Sequence, residues 1–261
     1  MAKRVIVTRP AEQAALWTTQ LRQAGLDALS LPLITIGAPH DLQALTDAWA
    51  RIDSFNAVMF VSANAVSHFF QQRPAALHSF TPRAFATGPG TVAALLACDV
   101  AAEGIDAPDA QAGQFDSEAL WQVVRGQIKP GNRVLIVRGT QDAAEAVASK
   151  GEGRDWFAQQ VEAAGAQVEF VVAYRRQPPV LGINSVALVQ NAARDGSVWL
   201  FSSSEAVANL QTACPGQSWQ QARAVATHPR IAQAAQDAGF GTVVTARPAL
   251  SDIVASIESM P

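Results

Sequence analysis

The chain alternates between two hydrophobic periods. In RVIVTRP (4–10), Val5–Val7 form an apolar run with no polar interruption, the pattern of a strand buried on both faces. Ala14, Ala15, Trp17, Leu21 and Ala24 then recur at helical spacing, and Gly25 ends that stripe as glycine commonly does. A second apolar run, Leu29–Ile36, follows. The pattern predicts β-α-β.

The same order returns at RVLIVRG (133–139), with Trp156, Phe157, Val161 and Ala164 on the helix, Gly165 as its stop and a strand behind it. Arg4 aligns with Arg133, 129 positions on. AVMFVSANAV (57–66) matches VWLFSSSEAV (198–207) at 141, and RAFATGPGTVAAL (83–95) matches RAVATHPRIAQAA (223–235) at 140. The added 11 or 12 positions equal one inserted stretch, DAAEAVASKGEG (142–153). Three matched blocks in one order mark a duplication with a period far too long for a solenoid.

The predicted strands are 4–8, 29–36, 57–62, 84–87, 99–103, 133–138, 168–175, 198–202, 223–227 and 242–245. Five strands per copy, alternating with helices, predict α/β architecture and doubly wound, flavodoxin-like parallel sheets. LPLITIG (31–37) and FVVAYRRQPP (170–179) are the candidate connectors.

Each matched block ends where a strand feeds a helix N-terminus, the end of a parallel sheet that takes ligands. The candidate binding turns are Ser62, Ala63 and Asn64; Thr87 and Gly88; Ser202, Ser203 and Ser204; and Thr227 and His228. Helix N-termini present free N–H groups that suit carboxylates or phosphates. Singly, each turn reads as an ordinary cap, with Ser202 and Glu205 spaced as a capping box. Four such turns, two per copy, point instead to one shared cleft. Arg9 and Arg138 follow the first strand of each copy, either as solvated charges or as partners for an anion. Tyr174 is the one tyrosine of the chain; it is a good strand residue, and Arg175 and Arg176 behind it are placed to hold or polarise it.

Composition narrows these readings. The 261 residues are 49% apolar and 16% charged, with net charge −3 and no basic block, which argues against nucleic acid as a partner. Cys98 and Cys214 are far apart and lack metal spacing, which points to a reducing compartment, and Cys98 in ALLACDVAA reads as core. No signal-peptide core or membrane-length run is present, so the expected place is the cytoplasm with no membrane contact. The four histidines show no metal spacing, and GPG (88–90) and GEG (151–153) are lone glycine pairs. There is no Gly-x-Ser-x-Gly elbow and no Walker loop. Asp116-Ser117-Glu118 reads as a helix start.

VTRP (7–10), FVSANAV (60–66), ATGPGTVAAL (86–95), SEAL (117–120), VLIVRG (134–139), GRDWF (153–157), VAYRR (172–176), FSSSEAV (201–207) and ATHPRIAQAAQDAGF (226–240), in this order, resemble the uroporphyrinogen-III synthase family. The resemblance implies two flavodoxin-like domains joined by two extended connectors, around 31–37 and 171–177. It also implies an exchange: 1–36 with 178–261 in one domain, 38–170 in the other. The implied reaction cyclises hydroxymethylbilane, a linear tetrapyrrole with eight carboxylates, to uroporphyrinogen III. Water is lost, the last pyrrole ring inverts, and neither metal nor organic cofactor is needed. By resemblance Tyr174 is the catalytic acid or orients the hydroxymethyl group, and Ser62, Thr87, Ser203 and Thr227 bind substrate. The implied protein is a monomer in transient contact with the enzyme that makes hydroxymethylbilane. The alternative is a two-lobed binder of an anionic metabolite or tetrapyrrole without turnover.

Overall fold

The computed structural model describes residues 3–77, 79–109, 112, 115–141 and 152–260. In chain order the elements are β1 (Arg4–Val7), α1 (Ala11–Gln23), β2 (Asp27–Ser30), β3 (Thr35–Gly37), α2 (Gln43–Ala50), β4 (Ala57–Phe60), α3 (Ala63–Phe70), β5 (Arg83–Ala86), α4 (Pro89–Ala97), β6 (Ile105–Asp106) and α5 (Ser117–Val124). They continue with β7 (Arg133–Thr140), α6 (Glu152–Ala163), β8 (Gln167–Gln177), α7 (Ile183–Ala192), β9 (Val198–Phe201), α8 (Ser204–Ala213), β10 (Arg223–Ala226), α9 (Pro229–Asp237), β11 (Thr242–Thr245) and α10 (Leu250–Ser259). The inserted stretch 142–153 lies outside the described residues except for its last two, which open α6.

Contacts divide the chain into two compact units. One is discontinuous, Met1–Ile36 with Gln177–Pro261; the other is the continuous Gly37–Arg176. The discontinuous unit has the sheet order β11-β10-β9-β1-β2, and the second sheet runs β3-β8-β7-β4-β5-β6. All the paired strands whose register is described run parallel.

From β2 outward the first sheet reads 2-1-9-10-11, and from β8 outward the second reads 8-7-4-5-6. Both are the flavodoxin-like order, and they correspond strand for strand. In the duplicated sequence, β1 and β2 belong with β4–β6, and β7 and β8 with β9–β11. Each sheet therefore joins the β-α-β of one copy to the last three strands of the other.

Alternation along the strands builds the cores. In the discontinuous unit Val5, Val7, Val198 and Leu200 pack with Ala14 and Leu21 of α1 and Ile253 and Ile257 of α10. Ile6, Trp199 and Phe201 point to the other face and pack with Leu210 of α8 and Ile231 of α9. Full burial on both faces is what the uninterrupted apolar runs encode. Trp199 keeps its polar end satisfied by donating from Nε1 to the Ala192 carbonyl at 3.2 Å. In the continuous unit Met59, Phe85 and Ile136 pack with Leu120 and Phe157. Trp49, Phe60, Phe69, Phe70 and Phe80 form an aromatic cluster there, with Trp49 donating to the Phe69 carbonyl at 2.8 Å.

Two predicted strands differ. The run 29–36 is two strands, β2 and β3, with Leu31, Leu33 and Ile34 buried between them. Pro32 lacks the N–H that a continuous ladder would use, although Leu31 and Leu33 on either side still donate to the Val7 and Thr8 carbonyls at 2.9 and 3.2 Å. The stretch 99–103 is no strand: Asp99 sits at φ 61, residues 102–104 make a tight helical turn, and pairing starts at Ile105. Val100 is buried as the pattern requires, but as the anchor of a turn. Residues 171–177 form the end of β8, and 35–37 form β3.

Candidate functional site

The site residues lie at the carboxyl ends of the strands in each unit. In the continuous unit, β4 ends at Phe60 and Ser62 caps α3, its Oγ accepting from the Ala65 N–H at 3.2 Å. The same Oγ lies 3.1 Å from the Tyr174 hydroxyl, which arrives from β8. The His68 ring, also on α3, stacks against the phenol at 5.8 Å between centroids and 24° between planes. Tyr174 is 3% exposed. Ala63 and Asn64 open α3 beside this contact.

Thr87 follows β5 and donates from Oγ1 to the Val61 carbonyl at 3.4 Å, tying the second turn to the first. The cap of α4 is Gly88, not Thr87, with Pro89 as the first helical residue. A side chain at Gly88 would stand 3.1 Å from Phe115 Cβ, so this turn is tightly covered. Asp116 caps α5, accepting from the Ala119 N–H at 2.8 Å, as its sequence position predicts.

In the discontinuous unit Thr8 follows β1, is buried, and donates from Oγ1 to the Leu200 carbonyl at 2.7 Å. The Thr227 N–H donates to the Phe201 carbonyl at 3.1 Å. Ser203 caps α8 by accepting from the Glu205 N–H at 3.2 Å. The predicted box from Ser202 to Glu205 is therefore displaced by one residue: Ser202 precedes the cap, and Ser204 opens the helix with its hydroxyl buried and unsatisfied. His228 caps α9, its Nδ1 accepting from the Arg230 N–H at 3.1 Å, so Thr227 is not the cap either.

Arg9 lies 4.5 Å above the Trp17 ring, with its Nε buried and without a hydrogen-bond partner. Burial pulls its pKa down to about 10, the signature of a cation deprived of water and of an anion. Arg138 is not after its strand but inside β7, opposite Val172, because β7 runs on to Thr140. It is buried and lies 4.5 Å over Phe170. Arg175 does not hold the phenol: its guanidinium reaches the Ala38 carbonyl at 2.8 Å and His40 Nε2 at 2.9 Å. Cys98 is the C-cap residue of α4 and only half-buried, not core.

Sequence reasoning overlooked Thr8, which bonds the Leu200 carbonyl, and His68 and Gly139, which lie against the Tyr174 ring. A glycine inside a strand pattern marks close approach of another group, and that signal was present at Gly139. His68 and Thr8 carried no such signal. Among the described residues, no three His, Cys, Asp or Glu side chains are grouped as metal ligands, and no helix is long and apolar enough to cross a membrane.

Comparison with known proteins gives a consistent result. The sequence model of the family described as uroporphyrinogen-III synthase HemD matches residues 16–255. A uroporphyrinogen-III synthase from Synechococcus elongatus is 30% identical over 181 residues, 69% of this chain; the match spans 62% of that relative's length. The uroporphyrinogen-III synthetase from Helicobacter pylori superimposes with a TM-score of 0.59, at 16% identity and full coverage of both chains. A mutant uroporphyrinogen III synthase from the extremely thermophilic bacterium Thermus thermophilus gives 0.56, at 13% identity and 98% coverage of both. These structural likenesses carry the fold. With the family match across most of its length, the chain belongs to the uroporphyrinogen-III synthase family.

Proposed function

We propose that this chain cyclises hydroxymethylbilane to uroporphyrinogen III, losing water and inverting the last pyrrole ring. The observation that carries the reading is the placement of its single tyrosine, with the Tyr174 hydroxyl 3.1 Å from Ser62 at the N-terminus of α3. A phenol is protonated at neutral pH and can serve as a general acid. Tyr174 gives its proton to the leaving hydroxyl. The C–O bond breaks with its electron pair going to oxygen, and water departs. The carbocation left behind is delocalised onto its pyrrole nitrogen. The already substituted α-carbon of the last ring attacks that centre and closes the ring. Its older bond to the neighbouring methylene bridge then breaks, and the bridge carbon re-bonds at the ring's free α-carbon, whose proton is released and restores the phenol.

Which α-carbon of that ring attacks first is a matter of held conformation, so positioning is the larger part of the catalysis. The substrate's carboxylates are the handles. The amides of Ala63, Asn64 and Gly88, the turn Ser202–Ser204, and Thr227 with His228 all stand at helix N-termini, which attract anions. Thr87 braces one such turn. Arg9, cationic and without a hydrogen-bond partner at Nε, is the best placed of the arginines to take a carboxylate. Arg138, buried inside β7 over Phe170, supports the end of that strand rather than offering an open charge. In this reading residues 1–36 with 178–261 and residues 38–170 act as two domains joined around 31–37 and 171–177. The protein works as a cytoplasmic monomer that takes its substrate by transient contact with the enzyme producing it.

Purified protein given fresh hydroxymethylbilane should form the type III isomer. Formation of the type I isomer alone would overturn the reading. Binding of uroporphyrin-like polycarboxylates without turnover would establish the non-enzymatic binder instead.

A further inference from the structure

The ladder between β7 and β8 contains an irregularity at the site. Arg138 pairs with Val172, 34 positions on, but Gly139 pairs with Tyr174, 35 positions on. Ala173 is thus an extra residue on β8. Side chains alternate along a strand, so one extra residue turns everything after it to the other face. In an unbroken ladder Tyr174 would share the face of Val172 and Arg138. The bulge turns it to the face of Gly139.

Gly139 provides the room. A Cβ at this position would stand 2.5 Å from Cε2 and 2.8 Å from Cε1 of Tyr174, at the hydroxyl-bearing end of the ring. Real Cβ atoms essentially never approach so closely, and the obstacle here is a ring held on its other contacts. The φ of Gly139 is not in the left-handed region, so the glycine is required for space and not for backbone conformation. Ser62 meets the hydroxyl and His68 flanks the ring. Ser62 Oγ also accepts the Ala65 N–H, which fixes its place at the cap, and either hydroxyl can donate in the contact with the phenol.

We infer that Gly139 and the bulge at Ala173 are a positioning device for the reaction: they form the slot that aims the Tyr174 hydroxyl at the α3 N-terminus, and Ser62 acts through Tyr174 as its orienter. The inference rests on the reading of Tyr174 as the proton donor. The slot itself can be tested without activity, because Tyr174 is the only tyrosine.

The experiment combines NMR of full-length protein carrying isotope-labelled tyrosine with the isomer assay. In the wild type, the single set of ring signals should show contacts to the Gly139 α-protons and to the His68 ring. In a folded Gly139→Ala variant those contacts should be lost. kcat should fall by about tenfold to a hundredfold with KM little changed, as expected for a reacting group displaced by about an ångström. In the Tyr174→Phe background, Gly139→Ala should cost no further activity. Absence of ring contacts to Gly139 in the wild type overturns the slot, and this holds even where the alanine variant does not fold. Unmoved tyrosine signals and unchanged kcat in Gly139→Ala overturn it too. The same loss of kcat in both backgrounds shows a general structural role and overturns the positioning claim. Full turnover by Tyr174→Phe alone overturns the donor reading, and with it the catalytic meaning of the slot, while the ring contacts report on the geometry separately.

Discussion

The two units hold the same piece of backbone in two different ways. The register Arg4–Asp27 in one sheet and Arg133–Gln167 in the other sets β2 and β8 140 positions apart. Carried forward, that spacing puts Ile34 level with Tyr174 and Leu29 level with Glu169. At 141 positions apart, Ser203 matches Ser62 and Asn209 matches His68. In the continuous unit Ser62 and His68 of the α3 turn and helix contact the Tyr174 side chain. In the discontinuous unit Asn209 donates to the Leu33 carbonyl at 2.8 Å, and Ile34 is buried in the core. The discontinuous unit fixes this segment through its backbone and fills the space with hydrocarbon. The other fixes it through a phenol and leaves a hydroxyl at the helix end. A duplicated scaffold has here been specialised by side chains and one bulge, without changing the order of the five matched strands.

The strongest test of that division is to remove the hydroxyl. Tyr174→Phe keeps the ring in its slot, and kcat for the type III isomer should fall about a hundredfold or more, the usual scale for a general acid. Stability should change little. Ile34→Ala should do the reverse. A buried isoleucine cut to alanine costs about 2–5 kcal/mol, read as a lower denaturant midpoint, with kcat retained wherever the variant is folded. Loss of kcat in folded Ile34→Ala would break the comparison, because the packing copy would then be part of the chemistry.

Smaller effects sharpen it. Ser203→Ala removes one N-cap and should cost about 1 kcal/mol, and as a residue of a substrate-binding turn it should raise KM while leaving kcat in place. Ser62→Ala should cost a similar amount of stability and also lower kcat. Equal kinetic effects at both serines would dissolve the distinction.

The smallest expected effect is electrostatic. Burial raises the Glu169 pKa, but hydrogen bonds and attraction from Arg133 and Arg51 outweigh it and hold the carboxyl below its ordinary range. A depressed carboxylate contributes stability that is present above its unfolded pKa and lost as pH falls through the folded one. Glu169→Gln should therefore flatten the acid limb of the stability profile. Leu29 stands at the matching place and has no such titration. An unchanged acid limb in Glu169→Gln would show that the half-exposed pair is solvent-screened to nothing.

Much of this was legible in the chain. Strand starts fell within two residues for nine of the ten predicted strands because short apolar runs bounded by turns have few other meanings. Gly25 and Gly165 end their helices at φ 88 and 83, where a side chain would be strained. Where reading failed, the physics lay beyond the local pattern. Leu31, Leu33 and Ile34 are buried around a proline that ends the regular strand, and hydrophobicity reports only burial. Ser202 and Ser203 are chemically identical as caps; backbone geometry chose between them. The exchange of β-α-β pieces leaves no local trace, since β1 fits beside β4 or β9 with the same pattern. The contact between Tyr174 and Ser62 joins residues 112 positions apart and depends on a bulge that the sequence does not announce.

That exchange also bears on how the chain is made. During synthesis from the N-terminus, β4 emerges long before β9, whose Leu200 carbonyl accepts from Thr8 across 192 positions. The nascent β1–α1–β2 segment thus meets a near-copy of its proper neighbour first, while that near-copy still lacks β7. Productive folding requires the early partner to be refused, or released once β7 arrives. The ribosome delivers the decoy before the target, and in the finished sheet it is β7 that holds the place beside β4.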